Sequence, residues 1–341
     1  MTKQTPTAHD WFEKANKAIQ PEEQIRCFTK AIELDPELTL AYFKRGNCYA
    51  KLNQYERAVA DYDQALHLDP GMDGASVNRG ICHVRLDQYA EAVDDFSHAI
   101  ENNPENAELY YYRGNSHAHL EQDEEAIEDY SQAIRLDPDF AYAYNNRGLS
   151  YSNLDQDEKA IIDYDQAARF TPENVSIFYN RGNSYAYLHQ HEKAIEDYDK
   201  AISLDPTMGD AYYNRGNCHG HLKQYEKAIE DYSQSIRLDP DIAYAYNNRG
   251  FTYANLGQYK KAIEDFDRAL SLNSELEDVY YNKACSCAHI GKTEEALNNL
   301  RQALKFGPQK YCDLAGKDSA FEMIRGDADF QDLLEIYCDK C

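Results

Sequence analysis

The chain has no run approaching the ~18 consecutive apolar residues of a membrane span, so no crossing is expected. Its first ten residues are polar and lack the apolar stretch of a secretory signal, which points to a soluble cytoplasmic protein. Positive charge is scarce: 35 Lys and Arg against 60 Asp and Glu leave a formal charge of −25. Nucleic acid is held by cationic side chains that displace counterions, so no nucleic-acid partner is expected. A charge of this sign favours solubility and would attract a basic partner, without defining a fold. The nine cysteines do not follow the spacing of a small secreted scaffold, which argues against a disulfide framework and for a reducing compartment.

Chemistry-bearing motifs are equally thin. No glycine-rich phosphate loop, nucleophile elbow or HExxH stands in the chain. His117/His119, His189/His191 and His219/His221 are i, i+2 pairs, which do not share a helical face. Cys338-x-x-Cys341 is a lone pair without the second pair zinc would need, and Cys285-x-Cys287 has poor ligand spacing in a helix. The expectation is a protein that is not an enzyme and holds no metal and no cofactor.

What the chain has is repetition, and this overrides the two domains that 341 residues suggest by size. Arg45-Gly46, Arg79-Gly80, Arg113-Gly114, Arg147-Gly148, Arg181-Gly182, Arg215-Gly216 and Arg249-Gly250 recur every 34 residues without insertion. Ala58 through Ala296 and Pro70 through Pro240 keep the same period. With Gly at position 8, units begin at 5, 39, 73, 107, 141, 175, 209, 243 and 277. Small residues at 8 and 20 allow two helices to cross closely, an aromatic at 24 fills the groove between neighbours, and Asp-Pro ends the second helix. No unit can bury its apolar face alone, so stacking must stabilise the array.

This pattern resembles the tetratricopeptide repeat. The resemblance implies an all-α fold, a right-handed superhelical solenoid of stacked antiparallel helix pairs. Residues 1–310 would form nine repeats, the first and last degenerate, and 311–341 would cap the open end. Within that cap, Ser319 and Glu322 are expected to form a capping box, followed by an apolar helical stripe of Phe330, Leu333, Leu334 and Tyr337. A longer period is superimposed: 127–148 and 229–250 match at 20 of 22 positions, an offset of 102 residues. A duplicated block of three repeats explains it, as would a ligand with two equivalent segments.

In proteins that this one resembles, positions 2, 5, 6, 9, 12 and 13 of the first helix line a concave groove. Position 6 reads Asn78, Asn146, Asn180, Asn214, Asn248 and Asn282 in six repeats. The row resembles the asparagine ladder of the solenoid in protein O-N-acetylglucosamine transferases, which holds peptide main chain. A carboxamide offers one acceptor and two donors, matching an extended backbone, though it could equally bond a neighbouring helix. Position 9 adds Asn47, Asn115, Asn183 and Asn217, and position 5 adds Tyr residues including Tyr179 and Tyr213. Lys44, Lys51 and Arg85 make one end locally basic and suggest a carboxylate pocket, or cations that complement helix C-termini. Asn47 and Asn78 fit the carboxylate clamp of chaperone-binding relatives, whereas Phe43, Glu108 and Tyr112 depart from it.

Arg at position 7 occurs with Asp at position 23 in seven repeats and both change together in the ninth, to Lys283 and Asn299. That joint change predicts an ion-pair ladder between helices. The expected function is a scaffold that binds an extended peptide or partner segment in the groove. The other arrangement the pattern allows is self-association, or docking through the ends or the acidic outer face.

Overall fold

The computed structural model describes residues 5–338. The described residues form twenty α-helices and one 3₁₀ helix, with no strand, and divide into two compact units meeting in sequence at Pro172/Glu173. The first unit holds α1 (Ala8–Lys17), α2 (Pro21–Leu34), α3 (Thr39–Lys51), α4 (Tyr55–Leu68), α5 (Asp73–Arg85), α6 (Tyr89–Asn102), α7 (Ala107–His119), α8 (Asp123–Leu136), α9 (Ala141–Asn153) and α10 (Asp157–Phe170). The second holds α11 (Val175–Tyr187), α12 (His191–Leu204), α13 (Gly209–His221), α14 (Tyr225–Leu238), α15 (Ala243–Asn255), α16 (Tyr259–Leu272), α17 (Glu277–His289), α18 (Thr293–Phe306), α19 (Pro308–Lys317), the 3₁₀ turn Ser319–Ile324 and α20 (Ala328–Cys338). Odd- and even-numbered helices up to α18 are the A and B helices of successive hairpins. Within each unit, every B helix packs on the next A helix.

Each A helix from α3 to α17 is followed by a residue with left-handed backbone, from Asn53 at φ 56° to Gly257 at φ 69° and Gly291 at φ 76°. The amide that follows reaches back to position 11, as Gln54 does to Tyr49 at 2.9 Å, and this closes the turn into helix B. Gly at position 8 then permits the crossing. A Cβ built on Gly216 would stand 2.9 Å from Cε1 of Tyr232, the aromatic at position 24 of the same repeat. In the ninth repeat Ala284 replaces Gly and the facing residue is Leu300, both fully buried. The smaller partner makes room for the methyl group.

The Arg/Asp pairs form within each repeat. Arg147 Nε and Nη2 donate to both oxygens of Asp163, each at 2.7 Å, and Nη1 donates to Ser131 Oγ of the preceding repeat at 2.9 Å. One guanidinium therefore joins three helices. Lys283, facing no Asp at position 23, keeps only the contact to the preceding repeat, Asp267 at 2.5 Å. Losing one partner of such a half-buried pair costs more than the pair itself contributes.

After α18 the chain turns back over the last hairpin. Phe321, Ile324, Phe330 and Leu333 join Tyr281, Leu300, Leu304 and Tyr311 in one buried cluster. Asp318, not Ser319, caps the 3₁₀ turn, accepting from the Ala320 amide at 2.9 Å, because its carboxylate is already aimed at α17. It accepts from Tyr281 Oη at 2.9 Å and lies 3.6 Å from Cys285 Sγ. Cys338 is disulfide-bonded to Cys312, so it is not half of a free CxxC; six other cysteines are free thiols. Spacing along the chain could not show this bridge, because folding the cap brings α19 and α20 together. Cys341 lies outside the described residues. Among the described residues no helix is long and apolar enough to cross a membrane.

Candidate functional site

The asparagines of the A helices are joined in triads across repeat junctions. Tyr62 donates to Asn47 Oδ1 at 2.7 Å, and Asn78 of the next repeat donates to the same oxygen at 2.8 Å. Tyr130, Asn115 and Asn146 repeat this at 2.8 Å and 2.8 Å. Tyr198, Asn183 and Asn214 do so at 2.8 Å and 3.0 Å, and Tyr232, Asn217 and Asn248 at 2.9 Å and 3.0 Å. The Tyr at position 24 is buried, which pushes its phenol above the ordinary range and requires a partner for its hydroxyl. Asn at position 9 supplies that partner in four repeats; in the fifth, position 9 is Leu149 and the buried Tyr164 hydroxyl has no hydrogen-bond partner. Where position 24 is Phe96 or Phe266, position 9 is Ile81 or Phe251.

Tyr179 and Tyr213 belong to the same network. Their rings pack on Tyr198 and Tyr232 at 6.2 Å and 6.0 Å between centroids. Their hydroxyls accept from Asn214 at 3.2 Å and Asn248 at 3.0 Å. The expected ladder is thus bonded between helices on its donor side. Asn180 and Asn282 follow Leu149 and Phe251, whose side chains offer no acceptor oxygen. At the last repeat, Asp318 meets Tyr281 and Cys285 at positions 5 and 9, standing in for the Asn of a further repeat.

The network opens at α9 and α15. There position 5 is Asn145 or Asn247, each donating to its neighbour Asn146 or Asn248 at 2.9 Å and 3.0 Å. The Oδ1 atoms of Asn145 and Asn247 are buried and without a hydrogen-bond partner. Nothing in the repeat pattern had drawn attention to these two residues, although their departure from the usual Tyr was visible. Both helices also expose two large apolar side chains one heptad apart. Tyr142 and Leu149 are 55% and 44% exposed, Tyr244 and Phe251 58% and 50%.

Cavities follow this face. One of about 400 Å³ in the first unit is lined by Asn115, His119, Tyr130, Asn146, Leu149 and Asn153 among others. In the second unit, cavities of about 250 Å³ and 500 Å³ succeed one another and share Asn217 and His221. Rings at position 13 stack on position 17 of the preceding repeat, His119 on Tyr89 at 4.4 Å and His221 on His191 at 4.7 Å. Burial, then His221 and His189, hold the His191 imidazole below its ordinary pKa. No group of three or more His, Cys, Asp or Glu among the described residues is placed to hold a metal ion.

Lys44 and Lys51 lie on α3, where both act on the Cys48 thiol, whose pKa burial raises. Lys51 and Arg85 are exposed ends of α3 and α5.

Tetratricopeptide repeat models match residues 39–72, 175–208, 209–242 and 243–276, then 96–128, 141–174 and 277–309; a TPR repeat model matches 114–155. The C-terminal part of a TPR repeat-containing protein from Cytophaga hutchinsonii shares the fold with a TM-score of 0.60 and 19% identity, over 70% of this chain and 98% of that one. A tetratricopeptide repeat protein from Parabacteroides merdae does so with 0.54 and 18%, over 73% and 98%. YrrB, described as a TPR protein with an unusual peptide-binding site, gives 0.49 and 34%, over 54% and 95%. No curated protein matches the sequence.

Proposed function

The chain belongs to the tetratricopeptide repeat family, and we propose that this protein-interaction scaffold takes an extended segment of a partner protein along its A-helix face. The observation that carries the reading is the run of adjoining cavities in the second unit, about 250 Å³ and 500 Å³, with Asn217 and His221 common to both. A string of open, half-polar hollows suits a chain better than a compact small molecule. Exposed Tyr244 and Phe251 supply apolar contact, and Tyr does so at low entropic cost. The remaining polar groups supply hydrogen bonds of about 1 kcal/mol each, against an association cost of several. Affinity of roughly micromolar order follows.

Since the position-6 donors already bond between repeats, removing them would disturb the stack as well as the groove. A photo-crosslinking residue placed at Phe251, and in a second variant at exposed Ile162 on helix α10, separates the two faces. Adducts with partner polypeptides are expected from position 251 and not from 162. Equal labelling from both would remove the reading and turn attention to the outer face.

A further inference from the structure

We propose that the chain carries two equivalent peptide-binding stations, one in each unit. Each takes a short extended segment presenting a bulky apolar residue beside a basic one. The inference rests on the groove reading above and adds its stoichiometry and the chemistry of the occupant.

The stations are related residue by residue through the 102-residue offset. Asn115, His119, Tyr130, Asn146, Leu149 and Asn153 line the cavity of the first unit. Asn217, His221, Tyr232, Asn248, Phe251 and Asn255 line the 500 Å³ cavity of the second. Five of these six are identical and the sixth exchanges apolar Leu149 for apolar Phe251; Ser150 and Thr252 also correspond, whereas Val84 and Ser116 line only the first cavity and Tyr225 only the second. Ala118 in the first becomes Gly220 in the second, whose absent methyl leaves a larger hollow.

Three features beyond lining recur in both. The Oδ1 of Asn145 and of Asn247 is buried and unpaired, next to a lining residue that its own amide holds in place. An orphaned buried acceptor costs about 1–3 kcal/mol, a loss the fold could avoid by placing Tyr there as it does in neighbouring repeats. Leu149 and Phe251 expose apolar surface at position 9, where Asn stands in four other repeats, and Tyr142 and Tyr244 are exposed seven residues before them, which calls for an apolar side chain opposite. The preceding A helix carries an exposed carboxylate at position 2, Glu108 or Asp210, and among the described residues neither is in an ion pair. In a chain of charge −25 these two acids select a basic neighbour for the apolar residue. Inheritance of a copied block explains the shared sequence, but a copy without use has no reason to keep an unpaired acceptor and an exposed aromatic together.

The probe is a phage-displayed library of random linear dodecapeptides panned on the full chain, followed by calorimetry with the synthesised consensus peptide. Wild type is compared with Leu149→Arg, Phe251→Arg and the double variant. Both side chains are exposed, so helix content should be unchanged, and circular dichroism checks this. Two sites per chain are expected in wild type, one in each single variant and none in the double. The remaining site in each single variant should keep its affinity within about twofold, since the stations share no residue. A single site in wild type, abolished by one variant alone, overturns the two-station inference and leaves the groove reading standing. Binding untouched in the double variant, or a library that enriches no sequence, overturns both.

Discussion

Asn248 donates to Asn217 Oδ1 at 3.0 Å across a repeat junction, and Tyr232 of the first repeat donates to the same oxygen at 2.9 Å. One carboxamide thus satisfies a buried phenol and ties two repeats together. Asn217→Ala should cost about 1–3 kcal/mol, the penalty for stranding a buried hydroxyl. Asn217→Ile combined with Tyr232→Phe should recover most of that, since Ile81 and Phe96 occupy these positions in the third repeat. Urea unfolding followed by circular dichroism measures both; an equal loss in the two variants would contradict the triad.

The close approach of Gly216 to Tyr232 makes a second prediction. Gly216→Ala forces a methyl group to 2.9 Å from the ring and should destabilise by about 1–3 kcal/mol. Adding Tyr232→Leu should make the alanine tolerable, in the manner of Ala284 and Leu300. The readout is the interaction term of a double-mutant cycle in thermal unfolding. An additive pair would show that the ring does not set the size limit at position 8.

Cys218 is buried, and burial pushes its thiol up to about 11. The protonated form is the one the fold favours. Its contribution is therefore fully present below the ordinary thiol value of about 8.5 and is lost as pH rises through about 11. At pH 8 native protein should resist iodoacetamide at Cys218, as mass spectrometry of the peptide would show, whereas urea-unfolded protein is modified. Between pH 9 and 11 the urea midpoint should fall less steeply in Cys218→Ala than in wild type. Rapid native labelling at pH 8 would refute the burial argument.

How much of this was legible beforehand differs by contact. Arg at 7 and Asp at 23 could be paired from joint occurrence and joint loss alone, whereas the aromatic at 24 was expected between neighbours and instead faces Gly at 8 of its own repeat. Both pairs lie inside one hairpin, where a fixed 34-residue register leaves few possible neighbours. The third contact of each Arg, such as Arg147 with Ser131, was not apparent because position 25 alternates among Thr, Ser and Asp. The Asn ladder was seen as a row, but its partners were not. Position 9 varies with position 24 of its own repeat, except at Leu149 and Tyr164, and where it is Asn it bonds position 6 of the next, so the pattern is split between two periods.

By itself the sequence determined the hairpin unit, its period, the stacking that the apolar pattern demands, and the copied block of three repeats. These follow from local periodicity, since a helix face is set by spacing of 3.6 residues and each repeat answers only to its neighbours. Only the tertiary structure decided where hydrogen-bond capacity is spent and where it is left over. It assigned the Asn donors to repeat junctions, placed Asp318 where a further repeat would offer Asn, and joined Cys312 to Cys338. It also left the carbonyl oxygens of Asn145 and Asn247 unpaired. A carboxamide carries the same groups wherever it stands; which of them remain unsatisfied depends on atoms brought within about 3 Å by packing, and spacing along the chain does not encode that.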